Sequence, residues 1–434
     1  MRYIYFVICF LFFVKIDAQQ TPAVEQDKPI AIIGATAHIG NGSVIENSVI
    51  IFENGKISFI GEARNAPTLP DGGREIKAGG KHLYPGFIAL ESSLGLIEIG
   101  AVRATRDVRE LGYLNPSLRS IIAFNTDSKV IPTVRSNGVL LAHIVPAGGT
   151  MPGQSSVVQL DAWNWEDAAV STDCGVHLNW PSSYRRLGWW AESAGIKPNE
   201  NYEKEVSKIK MFFEEAKAYS TTSDPKQKNL KFEAMRGLFD GTKKLYINSR
   251  QAKSMMAACL FAKEMNLNPV LVGADDGWLI ADFLKEQNID VILSASHSLP
   301  DRKEDDIDIT YKLPKILHDA GLNFALSNPG YYEQRNLPFQ AGHAVGFGLP
   351  YEAAIKSITL NPAKILGIDN NYGSLEKGKS ATLFISEGDV LDMRTSQLLE
   401  AYIDGRKIDL DNKQSVLYRK FAKKYESQKA SKKE

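Results

Sequence analysis

The stretch His82-Leu83-Tyr84-Pro85-Gly86-Phe87-Ile88-Ala89-Leu90-Glu91-Ser92-Ser93 decides how the rest of the chain is read. Residues 83–90 form an apolar, β-rich segment, and similar segments follow near 138–145, 155–161, 173–179, 244–248, 268–273, 289–295 and 322–327. Helical patterns separate the last four. Met255 pairs with Cys259 and Met256 with Leu260 at i, i+4 spacing; Leu279 pairs with Phe283 and Ile280 with Leu284. Leu313, Ile316, Leu317 and Ala320 make a further stripe. Those four strands start 21 to 33 residues apart, the size of a βαβ unit. Eight strands with intervening helices predict an α/β fold of the (β/α)8 barrel type over residues 82–367. Residues 198–238 are helical and charged, an insertion between the fourth and fifth strands.

Outside the barrel the pattern changes. Residues 19–81 hold short β-rich runs (31–37, 48–53 and 56–60), with a hairpin signal at Glu53-Asn54-Gly55-Lys56. Residues 368–410 mirror them, with runs at 380–386 and 401–403 and a turn at Asp404-Gly405-Arg406. A composite β-sandwich shared by the two ends fits, since chain termini usually lie close together on a domain surface. The tail, 411–434, carries eight Lys/Arg against three Asp/Glu and a stripe of Val416, Leu417, Phe421 and Tyr425. A solvated helix packed by one face fits it; a polybasic membrane contact is the other reading.

The chain has 434 residues, with 51 basic and 51 acidic, so no basic domain speaks for nucleic acid. Arg2, the apolar run Tyr3–Val14 and the small residue Ala18 read as a secretory signal over 1–18, which implies a secreted or periplasmic protein. The run is too short to span a bilayer. Removing it leaves 49 basic and 50 acidic residues, a net charge of −1. Cys174 and Cys259 then remain, either paired in an oxidising compartment or buried as small hydrophobes.

The opening stretch resembles the first barrel strand of the amidohydrolase superfamily, written L/V-x-P-G-F/L-I/V-D-x-H-x-H. The resemblance extends to Ile358–Leu383, where Thr359-Leu360-Asn361-Pro362-Ala363 matches T-x-N-P-A and Gly373 to Leu383 matches the re-entry strand. It covers most of the chain, with imidazolonepropionase-like and dihydroorotase-like hydrolases as nearest kin. It implies a (β/α)8 barrel with a split β-sandwich and metal-dependent hydrolysis of non-peptide C–N bonds. The implied ligands are the H-x-H after strand one and groups ending strands four, five and six, with an Asp ending strand eight.

Those positions are altered here. H-x-H reads Glu91-Ser92-Ser93, strand five ends at Asn248, strand six at Asp275, and strand eight at Asn328. Serine cannot replace an imidazole at zinc, and asparagine cannot act as a base. Only His177 ends a strand that normally supplies a ligand. The first expectation is therefore a protein with a degenerate metal site and no cofactor. It would bind a small-molecule ligand or a partner, either a second copy or an intact paralogue. The second is an active hydrolase with a rebuilt divalent metal site, zinc for instance, using His177, His297, Asp275, Asp276 and Glu91. The third is a structural or surface-associated binding protein using the tail.

His143, inside an apolar run, reads as core or helix-facing, and His38, His82, His318 and His343 read as structural. The loop Gly148–Ser156 lacks the lysine of a phosphate-binding loop. Ser155 or Ser156 would need a base such as His177 to act as a nucleophile. Trp163, Trp165, Trp180, Trp189 and Trp190 suit either a pocket floor or core packing. Arg103, Arg106 and Arg109 suit either an anion or a solvated face.

Overall fold

The computed structural model describes residues 20–186, 196–300 and 302–431. The segment read as an export signal lies outside the described residues. The chain opens with β1 (Ile30–His38), β2 (Val44–Glu53), β3 (Lys56–Glu62), β4 (Arg74–Lys77) and β5 (His82–Pro85). The β2–β3 hairpin turns at Asn54 and Gly55, which have φ of 49° and 76° and pair Glu53 with Lys56. Both central residues of this tight turn need positive φ, which Asn-Gly supplies most cheaply.

β6 (Phe87–Ser92) enters the barrel, followed by α1 (Ile131–Arg135), β7 (Val139–Ile144), β8 (Gln154–Gln159), α2 (Trp165–Ala168) and β9 (Ala169–Asn179). A small pair, β10 (Tyr184–Arg186) and β11 (Ile196–Pro198), precedes α3 (Tyr202–Ser220) and α4 (Leu230–Phe239). Strand and helix then alternate: β12 (Lys244–Ser249), α5 (Ala252–Glu264), β13 (Pro269–Gly273), α6 (Ala281–Glu286), β14 (Asp290–Leu293), α7 (Ile309–Asp319) and β15 (Phe324–Leu326). Helices α8 (Leu337–Gly346), α9 (Tyr351–Ser357) and α10 (Leu360–Leu366) lead to β16 (Leu383–Ser386), β17 (Leu398–Ile403), β18 (Arg406–Ile408) and α11 (Lys413–Ser431).

The two chain ends build one sheet in the order β18-β17-β16-β5-β1-β2-β3, with β4 also paired to β1. The segment expected as a single first barrel strand is therefore two strands. β5 pairs with β16 and β6 with β7, and the chain changes sheets at Gly86. The Gly86 amide donates to Thr382 O and the Phe87 amide to Gly138 O, both at 2.9 Å. A Cβ on Gly86 would meet Leu140 and Thr382 side-chain atoms at 2.9 Å, so only glycine lets the two sheets approach there.

The barrel order is β6-β7-β8-β9-β12-β13-β14-β15. A bridge between Ser92 and Gly330 brings its two edges together. The eight strands are those the sequence predicts, with one departure from an all-parallel barrel: β8 runs antiparallel to both β7 and β9. Nine residues separate β8 from each neighbour. A parallel crossover needs a dozen or more, so the chain reverses instead.

Alternation along the strands sorts core from lumen. Val176, Leu178, Leu245 and Ile247 pack outward on Ile209, Phe213, Met235 and Phe261 of α3, α4 and α5. Their neighbours His177 and Tyr246 turn to the opposite side. Behind β8, buried Asp161 ties the ends of the chain together. It accepts from Arg135 Nη1 at 2.5 Å, Arg406 Nη1 at 3.0 Å and the Ala23 amide at 2.9 Å. Cys174 and Cys259 are both free thiols.

Candidate metal centre

Three strands of the first half of the barrel, β6, β7 and β9, each deliver one polar side chain to the lumen, with β8 between the last two. Glu91 sits near the end of β6, where the β6–β7 register slips between Ala89 and Ser92. Its φ is 52°, in the left-handed region that a residue with a Cβ adopts only at a cost. Such an irregularity re-aims a side chain. His143 lies in β7 and is fully buried; His177 lies in β9 and is 5 % exposed.

The Glu91 Oε1 atom is 3.6 Å from His143 Nδ1, and Oε2 is 3.9 Å from His177 Nδ1. Donor atoms from all three residues lie within 4.8 Å of one another. His177 stacks on Tyr246 of β12 with ring centroids 4.8 Å apart and planes within 6°. The His143 ring lies 5.0 Å from the same tyrosine. Tyr246 is itself fixed by its hydroxyl, which donates to Ile365 O at 3.4 Å.

Burial sets the charges. It pushes the Glu91 carboxyl up to about 8 and His143 down to about 3. His177 is driven well below its ordinary value by burial and then by His143. A metal-free cluster at neutral pH is therefore a protonated carboxyl beside two neutral imidazoles. Four of its atoms have no hydrogen-bond partner: Glu91 Oε1, both ring nitrogens of His143, and His177 Nε2. An unpaired buried polar group costs about 1–3 kcal/mol, so a cluster of them calls for something to satisfy it.

A divalent cation fits these donors. Two imidazoles and a carboxylate are a known catalytic zinc set, with a fourth position left open. Around a tetrahedral ion with bonds of about 2.1 Å donors lie about 3.4 Å apart. The three residues here offer donors within 4.8 Å, so modest side-chain rotation would close them on one ion.

The other expected residues have separate surroundings. Ser93 closes the barrel, its amide donating to Gly330 O at 2.9 Å. Asn248 is exposed at the end of β12. It lines a cavity of about 540 Å³ with Trp180, Tyr184, Ser249, Gln251 and Arg302. Asp275 pairs with Arg250 at 3.4 Å, and Asp276 takes a two-pronged contact from Arg302 at 2.8 and 3.1 Å. His297 is exposed and hydrogen-bonds His343 of α8, beside Tyr311. Asn328 Nδ2 donates to Glu333 O at 2.6 Å. The structure thus brings Glu91 and His177 together and gives His297, Asp275 and Asp276 other partners.

The third member, His143, is one the sequence does not single out, since its apolar surroundings predict a core or helix-facing residue. It is buried, but on the lumen side. The one available signal was a lone imidazole in an otherwise apolar strand. The Ser155 hydroxyl has no hydrogen-bond partner, so no Ser155–His177 nucleophile pair forms. Arg103, Arg106, Arg109 and Trp163 are exposed. Trp165 packs on the core, and Trp180 is buried with Nε1 donating to Tyr202 OH at 3.2 Å. Trp189 and Trp190 lie outside the described residues.

A family model described as the amidohydrolase family matches residues 191–409, just over half of the chain. The chain belongs to the amidohydrolase family. An imidazolonepropionase of Flavobacterium psychrophilum is 33% identical over 110 residues, covering 23% of this chain and 27% of that protein. An imidazolonepropionase of Syntrophobacter fumaroxidans is 37% identical over 82 residues, 18% of this chain and 19% of that one. The match spans less than a third of the length of these curated relatives. Among solved structures, an amidohydrolase from Thermotoga maritima superposes with a TM-score of 0.75 at 23% identity, over 88% of this chain and 99% of that one. Molinate hydrolase gives 0.55 at 16% identity, over 89% and 96%. At these identities the structural likeness speaks for the fold.

Proposed function

We propose that this amidohydrolase-family protein is exported and binds one divalent metal ion on Glu91, His143 and His177, in a centre that has Glu91 at the first position of the family's H-x-H and adds His143 from β7. The observation that carries this reading is the group of partnerless buried atoms on those three residues. Bound, such an ion supplies Lewis acidity, polarising a carbonyl and acidifying a water. The residues themselves do the holding. Glu91 would ligate as the carboxylate, and stacking on Tyr246 fixes the His177 ring.

The proton-transfer apparatus that the family resemblance implies is not rebuilt with the ligands. Asn328 stands where the family has an Asp, has no basic lone pair to offer, and spends its amide on Glu333 O. The cavity at the mouth is walled by Asn248, Ser249, Arg250 and Arg302, not by the three ligands. We therefore read the protein as holding a small-molecule ligand at the mouth without turning it over by the family route.

Metal analysis of the purified protein tests the first part. One equivalent of zinc or a similar ion per chain is expected, with loss in His143→Ala and His177→Ala. Metal-free wild-type protein that also takes up none on titration overturns it. A second reading, hydrolysis of non-peptide C–N bonds, is favoured by the two-imidazole, one-carboxylate donor set. Turnover of cyclic or acyclic amides by the metal-loaded protein, abolished by His177→Ala, would establish it.

A further inference from the structure

Helix α11 carries a face that the other described residues leave bare. Its beginning is tied down. Thr133 Oγ1 donates to Gln414 Oε1 at 2.9 Å, Asn412 Nδ2 to Ser136 Oγ at 2.9 Å, and Gln414 Nε2 to Tyr332 OH at 3.1 Å. Beyond that anchor, Leu417, Tyr418, Phe421 and Tyr425 are 40, 74, 47 and 56 % exposed. At 3.6 residues per turn these four share an arc of about 100°. Lys413, Arg419, Lys420, Lys423 and Lys424 occupy the rest of the circumference. Residues 413–426 hold five basic groups and one acidic, and the rest of the chain has 46 basic and 50 acidic residues. Of the five, Arg419 is paired with Asp411.

We propose that α11 is a docking helix for an anionic lipid surface. An exposed stripe of leucine and aromatic residues flanked by lysines is the pattern of a helix that lies in the bilayer interface. The rings sit at the acyl boundary and the amines on the headgroup phosphates. Lysine stems next to the stripe cover apolar surface while their charges stay in water. Among the described residues no helix is long and apolar enough to cross a membrane, so the contact is peripheral. The basic groups beside the stripe favour an anionic occupant, and a second copy, which would pair the stripe with itself, is an outcome the test below distinguishes. The inference is independent of the metal centre.

The test is co-sedimentation of the full chain with phosphatidylcholine vesicles, with and without phosphatidylglycerol. Wild type is compared with Leu417→Ser/Phe421→Ser and Lys420→Glu/Lys424→Glu. Any contribution of residues 1–19 is common to all three. Wild type should bind the anionic vesicles roughly tenfold or more tightly than neutral ones, and less as salt rises. Both variants should lose roughly tenfold or more, with unchanged thermal midpoints because the altered side chains are exposed. Three results overturn the proposal: equal or absent binding to the two vesicle types, variants that bind like wild type, or serine substitutions that dissociate a dimer.

Discussion

The two halves of the barrel make opposite use of the same architecture. From β12 to β15 the strands are parallel, helices alternate with them, and the charged groups beyond the strand ends are paired, although the Ser249 hydroxyl is not. Arg250 meets Asp275, Arg302 meets Asp276, and Asn328 holds Glu333 O. From β6 to β9 the pattern is broken by an antiparallel strand, a register slip and a glutamate with positive φ. Among the described residues this irregular half holds most of the partnerless buried atoms, including all four of the Glu91–His143–His177 cluster; Ser249, Gln334 and Glu352 each have one elsewhere. Departures from local regularity cost stability and persist where something else requires them. The regular half builds the mouth cavities, and the irregular half builds the candidate centre.

The largest way to separate the halves is through the tie behind β8. Asp161 accepts from Arg135, Arg406 and the Ala23 amide in a buried network. Asp161→Ala leaves two buried guanidinium groups without their anion, a loss of about 3–5 kcal/mol. Urea unfolding should show it. A loss below about 1 kcal/mol would mean that the termini do not brace the first half.

Metal affinity is the next contrast. Removing one of three ligands should weaken binding by roughly 100-fold or more, since even the groups orienting ligands are worth 10–100-fold. Calorimetric titration with zinc should show this for His143→Ala and His177→Ala and not for His297→Ala, whose ring meets His343 instead. A comparable drop in His297→Ala would move the centre into the second half.

The metal-free centre should also leave a mark on stability against pH. Glu91 titrates near 4.5 when unfolded and about 8 when folded, so the folded state binds the extra proton in that interval. Its contribution is present at low pH and is lost as pH rises towards 8. His143 and His177 act in the other direction, because both are held neutral when folded. Their contribution is present above 6.5 and is lost as pH falls below it. Together they give a maximum near 6.5, with an alkaline limb of up to about 1.4 kcal/mol per pH unit. Thermal midpoints of metal-free Glu91→Gln should lack the alkaline limb and keep the acid one.

How much of this the sequence foretells follows the same division. Leu245 and Ile247, and the Met255–Cys259 and Leu313–Leu317 pairs of α5 and α7, are periodic because each faces a buried cluster, and periodicity is legible; Leu260, read into the α5 stripe, is exposed. The hairpin at Asn54-Gly55 is legible because its φ values demand those residues. The break at Gly86 and the reversal of β8 are not, because both depend on which sheet a neighbour joins. Glu91 and His177 were read from their places in a known motif. His143 was hidden by its surroundings: every residue of Val139–Ile144 is buried, so alternation between lumen and outer face leaves no trace in hydropathy.

The smallest effect sharpens the contrast from the second half. Asn328→Asp restores the carboxylate that the family resemblance places at the end of strand eight. If the halves are as distinct as their hydrogen bonds indicate, it should change zinc affinity by no more than about threefold, a difference under 1 kcal/mol. It should also cost about 1 kcal/mol of stability. The Asn328 amide donates to Glu333 O at 2.6 Å, and a carboxylate there would set oxygen against oxygen. A gain of tenfold or more in zinc affinity would show instead that strand eight still reaches the metal. The centre would then be a shifted form of the family site, not one rebuilt on β6, β7 and β9.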